Sequence, residues 1–155
     1  MDAIREGDLI FCRGVDVCHR AIAITSGISH VCIAYELDGD LHVSSMSSKR
    51  NECLHERLMC LDMWAYVRAV RLLPPLSASE RRAVRALCEH EWTYSYRPSD
   101  SATFCTQHVA HILRTIGRAP ARSTRWIMPN ALLVLPHALV VQRGRAYDET
   151  CHALL

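Results

Sequence analysis

The chain has 155 residues, 50% hydrophobic and 22% charged, enough for one domain with an ordinary buried core and unlike a disordered segment. A net charge of +2 is too small to imply a nucleic-acid partner, and no run of 18 or more apolar residues is present to span a bilayer. The opening Asp2, Arg5, Glu6, Gly7 and Asp8 carry no apolar segment of signal-peptide type, so the expected location is the cytoplasm.

In chain order, the first half reads as β-rich. Leu9 to Cys12 is a short strand after a Gly-Asp turn, and Ala21 to Ile24 reads as one or two helical turns ended by Thr25-Ser26-Gly27. His30 to Tyr35 and Leu41 to Ser45 form a hairpin through Asp38-Gly39, a strong short-range turn signal. Ser47 to Glu52 is a polar loop, and Glu56 to Ala65 is expected as a short helix. Val67 to Leu72 alternates apolar and basic residues as a half-exposed strand does, and Pro74-Pro75 marks a boundary.

The second half is more helical. Ser77 as N-cap with Glu80 three residues on predicts a capping box that opens a helix running to Glu91. Tyr94 to Ala102 reads as a polar loop. Phe104 to Ile116 reads as a helix closed by Gly117. Pro129-Asn130-Ala131-Leu132 starts one more helical turn, Val134 to Val141 returns as a strand or covers the core, and the last dozen residues are expected to be loose. Arg81, Arg82 and Arg85 form a solvated basic face on the Ser77 helix, while Trp64, Trp92 and Trp126 are core or groove-lining residues.

Eight cysteines need an account: Cys12, Cys18, Cys32, Cys53, Cys60, Cys88, Cys105 and Cys151. Several lie in apolar runs, where a thiol behaves as a small buried hydrophobe, so reduced thiols in a reducing compartment are expected. There is no C-x-x-C, and neither Cys18-His19 nor His108 with His111 supplies a standard zinc set, so no metal and no cofactor are expected.

One cysteine stands apart. Cys105 lies at the expected start of a helix, and His30 at the expected start of a strand 75 positions upstream (105 − 30 = 75). A helix N-terminus and a nearby imidazolium are the two influences that lower a thiol pKa and yield a nucleophile, so Cys105 is expected to react fastest near neutral pH.

The set Gly7-Asp8-Leu9-Ile10-Phe11, Ser29-His30-Val31-Cys32-Ile33, Tyr94-Ser95-Tyr96 and Phe104-Cys105-Thr106-Gln107-His108-Val109 resembles the permuted NlpC-type papain-like cysteine hydrolases. That group includes bacterial lipoprotein-like hydrolases, lecithin:retinol-acyltransferase-like enzymes and some poxvirus proteins. The resemblance covers roughly residues 5 to 135 of a single domain spanning 1–155. It implies an α+β fold: a small antiparallel sheet or barrel packed against helices, circularly permuted relative to papain, with His on the sheet and Cys on the helix.

Carried over, Cys105 is the nucleophile and His30 the general base, later the general acid. A third polar residue should orient the imidazole. Spacing in the acyltransferase branch points to His42. Hairpin geometry instead sets Ser45 to Ser47 against His30 and His42 against Ala34 or Tyr35, roughly 13–17 Å from His30 along the strand. Ser45 is thus the favoured orienter and His42 the alternative. Tyr94, with Tyr96 as its close alternative, resembles the family's oxyanion-side tyrosine. Gln107 stands where relatives often carry Glu, and Trp126-Ile127-Met128 falls where an acyl or peptide pocket would be shaped.

The implied activity is a cysteine-dependent hydrolase or acyltransferase acting on an amide, ester or thioester. Its implied partners are an acyl-lipid, an acylated protein or a peptide, with peripheral membrane contact left open. A serine cannot balance an imidazolium charge as a carboxylate does. That keeps a second reading alive, a lipid- or peptide-binding module on the same fold, and the cysteine count alone supports a third, a zinc- or disulfide-held regulator.

Overall fold

The computed structural model describes residues 4–13, 28–47, 52–57, 66–95, 102–118, 132 and 138–144. Among them run β1 (Leu9–Arg13), β2 (His30–Leu37), β3 (Asp40–Ser47), β4 (Glu52–Arg57), β5 (Tyr66–Leu72), helix α1 (Ala78–Cys88), β6 (Thr93–Tyr94), β7 (Ala102–Thr103), helix α2 (Cys105–Thr115) and β8 (Ala138–Gly144). The eight strands form one sheet in the order β7-β6-β4-β3-β2-β1-β5-β8, antiparallel except for the β6–β7 pair. The architecture is α+β, with helices against an antiparallel sheet.

The Asp38-Gly39 hairpin forms as expected. Both residues take positive φ, 53° and 84°, the combination a two-residue type I′ turn requires, and Leu37 pairs with Asp40. The register then follows: Tyr35 opposes His42 and Ile33 opposes Ser44.

Alternation divides the sheet into two faces. Leu9, Phe11, Val31, Ile33, Tyr35 and Val70 pack with Val84 and Cys88 of α1 and with Val109, Ala110, Ile112 and Leu113 of α2. Ile10, Cys12, Cys32, Ala34 and Val43 form a second cluster on the opposite face.

The Gly7-Asp8 pair pins the start of β1 to both neighbours. Gly7 has φ +87°, its N–H donates to the Ala34 carbonyl at 2.8 Å, and a Cβ there would collide with the Leu76 side chain. The buried Asp8 carboxylate takes two hydrogen bonds from the Arg71 guanidinium, at 3.0 and 2.9 Å, and one from the Arg5 N–H at 2.9 Å.

Several expectations need correction. Glu56 and Arg57 do not open a helix; they end β4, whose ladder with β3 pairs Val43 with Glu56 and His42 with Arg57. The pull of a neighbouring strand outweighs weak local helix propensity. Strand β5 is not half exposed: Ala69 to Leu72 are all buried, and Arg71 goes inside because Asp8 receives it. The ends of the supposed Tyr94–Ala102 loop pair as β6 and β7. The apolar stretch near the C-terminus is a strand on β5, but shifted to Ala138–Gly144. The expected turns at Ala21–Ile24 and Pro129–Ala131, the loop residues 48–51, residues 58–65, Tyr96, Trp64, Trp126-Ile127-Met128 and the C-terminal residues beyond Gly144 lie outside the described residues. No helix among the described residues is long and apolar enough to cross a membrane.

Candidate active site

The two strand–helix junctions that carry the sequence motifs meet at one place. β2 starts at His30, held to β1 by the Ser29 N–H donating to the Cys12 carbonyl at 3.0 Å and by the pairing of Cys12 with His30. Even-numbered residues of β2 bond toward β1, as the Ala34 N–H to Asp8 carbonyl bond at 2.9 Å shows, so odd-numbered N–H groups point toward β3. The β2–β3 ladder runs only as far as Ile33 opposite Ser44. Val31 lies past its end, in the fork between the two strands.

Helix α2 inserts its first residue into that fork. The Cys105 sulfur accepts a hydrogen bond from the backbone N–H of Val31, the residue next to His30, and another from the N–H of Thr106. The Thr106 hydroxyl lies 3.8 Å from the sulfur. Phe104, the N-cap, offers no side-chain cap, and the first turn holds no acidic residue, so the helix opens with its positive end bare.

These donors do not win. Burial is the largest influence on the Cys105 thiol and pushes its pKa up from the ordinary value, with the hydrogen bonds from Thr106 and Val31 opposing it. The expectation of a lowered thiol pKa is therefore corrected for the resting site: desolvation exceeds the help from the helix start.

The described residues named from the sequence have these places. His30 is buried at the head of β2, and alternation sets it on the side of Cys32 and Ala34. Ser45 is buried in β3 opposite Leu54. The β2–β3 ladder ends at Ile33–Ser44, so Ser45 and Ser47 lie beyond the stretch paired with β2. His42 lies opposite Tyr35, five residues along β2 from His30, its ring 5.9 Å from the tyrosine ring on the helix-covered face. Tyr94 pairs with Thr103, two residues before Cys105, so β6 flanks the strand that feeds helix α2. Gln107 is buried, not solvent-facing.

A residue that the sequence reading set aside also belongs here. His108 is fully buried one turn into α2, shares a 2.9 Å hydrogen bond between its Nε2 and the Ser44 hydroxyl, and meets Trp92 edge-on at 5.8 Å. The available signal was its place three residues after Cys105, on the same helix face. Cys12, Cys32, Cys88 and Cys105 carry free thiols. Among the described residues no group of three or more His, Cys, Asp or Glu gathers closely enough to hold a metal ion.

No protein-family model matches the chain, and no curated protein matches it in sequence. Among solved structures it is similar to the metalloprotein YiiX of Escherichia coli O157:H7 (DUF1105), with a TM-score of 0.78 over 91% of this chain and 98% of YiiX, at 14% sequence identity. At that identity the likeness is one of fold.

Proposed function

We propose that the chain is a cysteine-dependent hydrolase or acyltransferase of the permuted papain-like, NlpC type, acting on an amide, ester or thioester. The observation that supports this most is the hydrogen bond from the Val31 N–H to the Cys105 sulfur, which seats a helix-opening thiol one residue from His30 across 75 positions of sequence.

In this reading His30 acts as a general base on a neutral thiol rather than as the partner of a standing thiolate–imidazolium pair, because desolvation of the half-buried thiol raises its pKa. The sulfur attacks the substrate carbonyl carbon as its proton passes to His30. The carbonyl π pair moves onto oxygen, where the Cys105 N–H at the helix start and the Tyr94 hydroxyl serve as donors. Collapse expels the leaving amine, alcohol or thiol with the proton from His30 and leaves a thioester on Cys105. Water or an acceptor amine or hydroxyl, deprotonated by His30, then resolves it. Ser45 orients the far nitrogen of His30. An acyl-lipid, an acylated protein or a peptide fits this chemistry, and a reducing compartment fits a thiol nucleophile. YiiX is described as a metalloprotein, and the chemistry proposed for this chain is routed through Cys105 and His30 alone.

The raised thiol pKa also favours a second reading, the same fold as a lipid- or peptide-binding module with a weak site. One experiment separates the two. The intact protein is treated with chloroacetamide and lipid-like electrophile probes, then with thioester and ester substrates, and adducts are mapped by mass spectrometry. An acyl adduct on Cys105 that forms and turns over supports the enzyme. Acyl adducts that form only on other cysteines, or none at all, would leave the binding module.

A further inference from the structure

Building on the cysteine-hydrolase reading, we propose that His108 is a positioning residue that sets Cys105 in the fork between β2 and β3. The first turn of α2 touches the fork at two points. At its tip the Cys105 sulfur takes the Val31 N–H; one turn on, His108 Nε2 and the Ser44 hydroxyl share their 2.9 Å bond. Ser44 is the last residue of β3 still in register with β2, opposite Ile33. The imidazole thus grips the apex of the fork whose open end receives the sulfur.

Three features argue that the imidazole is there for direction rather than for packing. Beyond the first turn, where Thr106 and Gln107 are also buried, the buried face of α2 is apolar, with Val109, Ala110, Ile112 and Leu113, and an apolar side chain at 108 would fill the site without desolvating a polar ring. A hydrogen bond to a single hydroxyl on β3 fixes the rotation and height of the helix, which apolar packing fixes only loosely. Helix α2 also needs such a fix, because Phe104 supplies no side-chain cap and the turn holding Cys105 is closed by the His108 N–H donating to the Phe104 carbonyl at 2.8 Å. Trp92 backs the ring from the other side, its own indole N–H donating to the Leu87 carbonyl at 3.1 Å, so the imidazole is held from two directions. A nucleophile displaced by about 1 Å loses on the order of a hundredfold in rate, the scale on which such a tie matters.

The test is the rate of iodoacetamide alkylation at Cys105 across pH, read by mass spectrometry on the full chain. His108→Phe and Ser44→Ala should each move the pH midpoint by on the order of half a unit or more, because the sulfur loses its fixed distance from the Val31 N–H. His108→Gln, which keeps a side-chain hydrogen-bonding group for Ser44, should return the profile toward wild type. Unchanged midpoints in both disrupting variants, whatever their melting temperatures, would overturn the proposal. Should His108→Phe fail to fold, Ser44→Ala decides. His30→Ala, read by thioester turnover, separates the two claims. If His30→Ala loses turnover while the His108 and Ser44 variants leave the alkylation profile unchanged, only the positioning role fails. If His30→Ala keeps turnover while those variants shift the profile, the positioning role stands and the hydrolase reading fails.

Discussion

The two helices are each eleven residues long and open in opposite ways. Helix α1 satisfies its own start: the Ser77 hydroxyl accepts from the Glu80 N–H at 3.3 Å, and the Glu80 carboxylate takes the Ser77 N–H at 2.7 Å. Arg118, just past the end of α2, clamps that carboxylate at 2.7 and 3.2 Å. Helix α2 begins at Phe104 with no side-chain cap and no acid in its first turn, and turns its donors toward a sulfur. The same kind of orphan N–H groups meet a capping hydroxyl in one case and a sulfur in the other. Where a helix start is left without its side-chain cap, chemistry is the first place to look for the reason.

Replacing the sulfur should break this contrast most severely. Cys105→Ala and His30→Ala are each expected to lower thioester or ester turnover at least about a thousandfold, as removal of a nucleophile or base does elsewhere. Steady-state rates with a chromogenic thioester are the readout. Turnover that survives Cys105→Ala would refute the assignment of the nucleophile.

The pH dependence of Cys105 alkylation sharpens the same contrast at roughly the tenfold level. Because burial holds the thiol above its ordinary value of 9.0, alkylation should be slow near neutral pH and still climbing above about pH 9. The linked stability has a definite sign. A raised pKa in the folded state contributes stability that is complete below the unfolded thiol's pKa and is lost as pH rises through the folded one. A rate that levels off near pH 7 would mean that an imidazolium, not burial, governs the sulfur.

Much of this was legible in the sequence, and the rest was hidden for identifiable reasons. The Asp38-Gly39 turn, the Ser77–Glu80 capping box and the Gly117 end of α2 are local signals, and each forms as its chemistry dictates. The turn placed His42 against Ala34 or Tyr35, and the register takes the second, Tyr35. What failed depended on distant partners. Arg71 looked exposed because the residue that buries it, Asp8, lies 63 positions away. Glu56 and Arg57 looked helical because β3 was not in view. The state of the Cys105 thiol depends on how deeply the fork encloses it, which no motif encodes. His108 looked like an incomplete zinc ligand until Ser44 appeared beside it.

A smaller effect is expected around His30. Ser45→Ala should lower turnover roughly three- to tenfold, since an orienter contributes less than a nucleophile or base and a hydroxyl is a weak one. His42→Ala should leave turnover nearly intact, its ring lying against Tyr35 rather than near His30. The two variants' kcat values, compared side by side, are decisive: near-complete loss in His42→Ala alone would place the orienter on the wrong residue here.

The mildest changes belong at the other helix start, where stability and not turnover should respond. Arg118 and the Ser77 N–H hold the Glu80 carboxyl at a pKa of about 2, down from 4.5. The charged form is the one the fold favours, so this contribution is fully present above the ordinary carboxylate pKa and drains away as pH falls from about 4.5 toward 2. The Glu80 and Arg118 side chains stay about one-fifth exposed, so water screens the pair and the whole cap is worth about 1–2 kcal/mol rather than the full value of the shift. Glu80→Gln should therefore cost about 1 kcal/mol in urea unfolding at pH 7 and progressively less as pH falls toward 2, while Ser77→Ala costs a similar amount by removing the cap oxygen. Neither should change the pH profile of Cys105 alkylation. A Glu80→Gln variant that moved that profile would mean that the two helix starts are coupled through Arg118 at the end of α2, and the division between a stabilising start and a chemical one would fall.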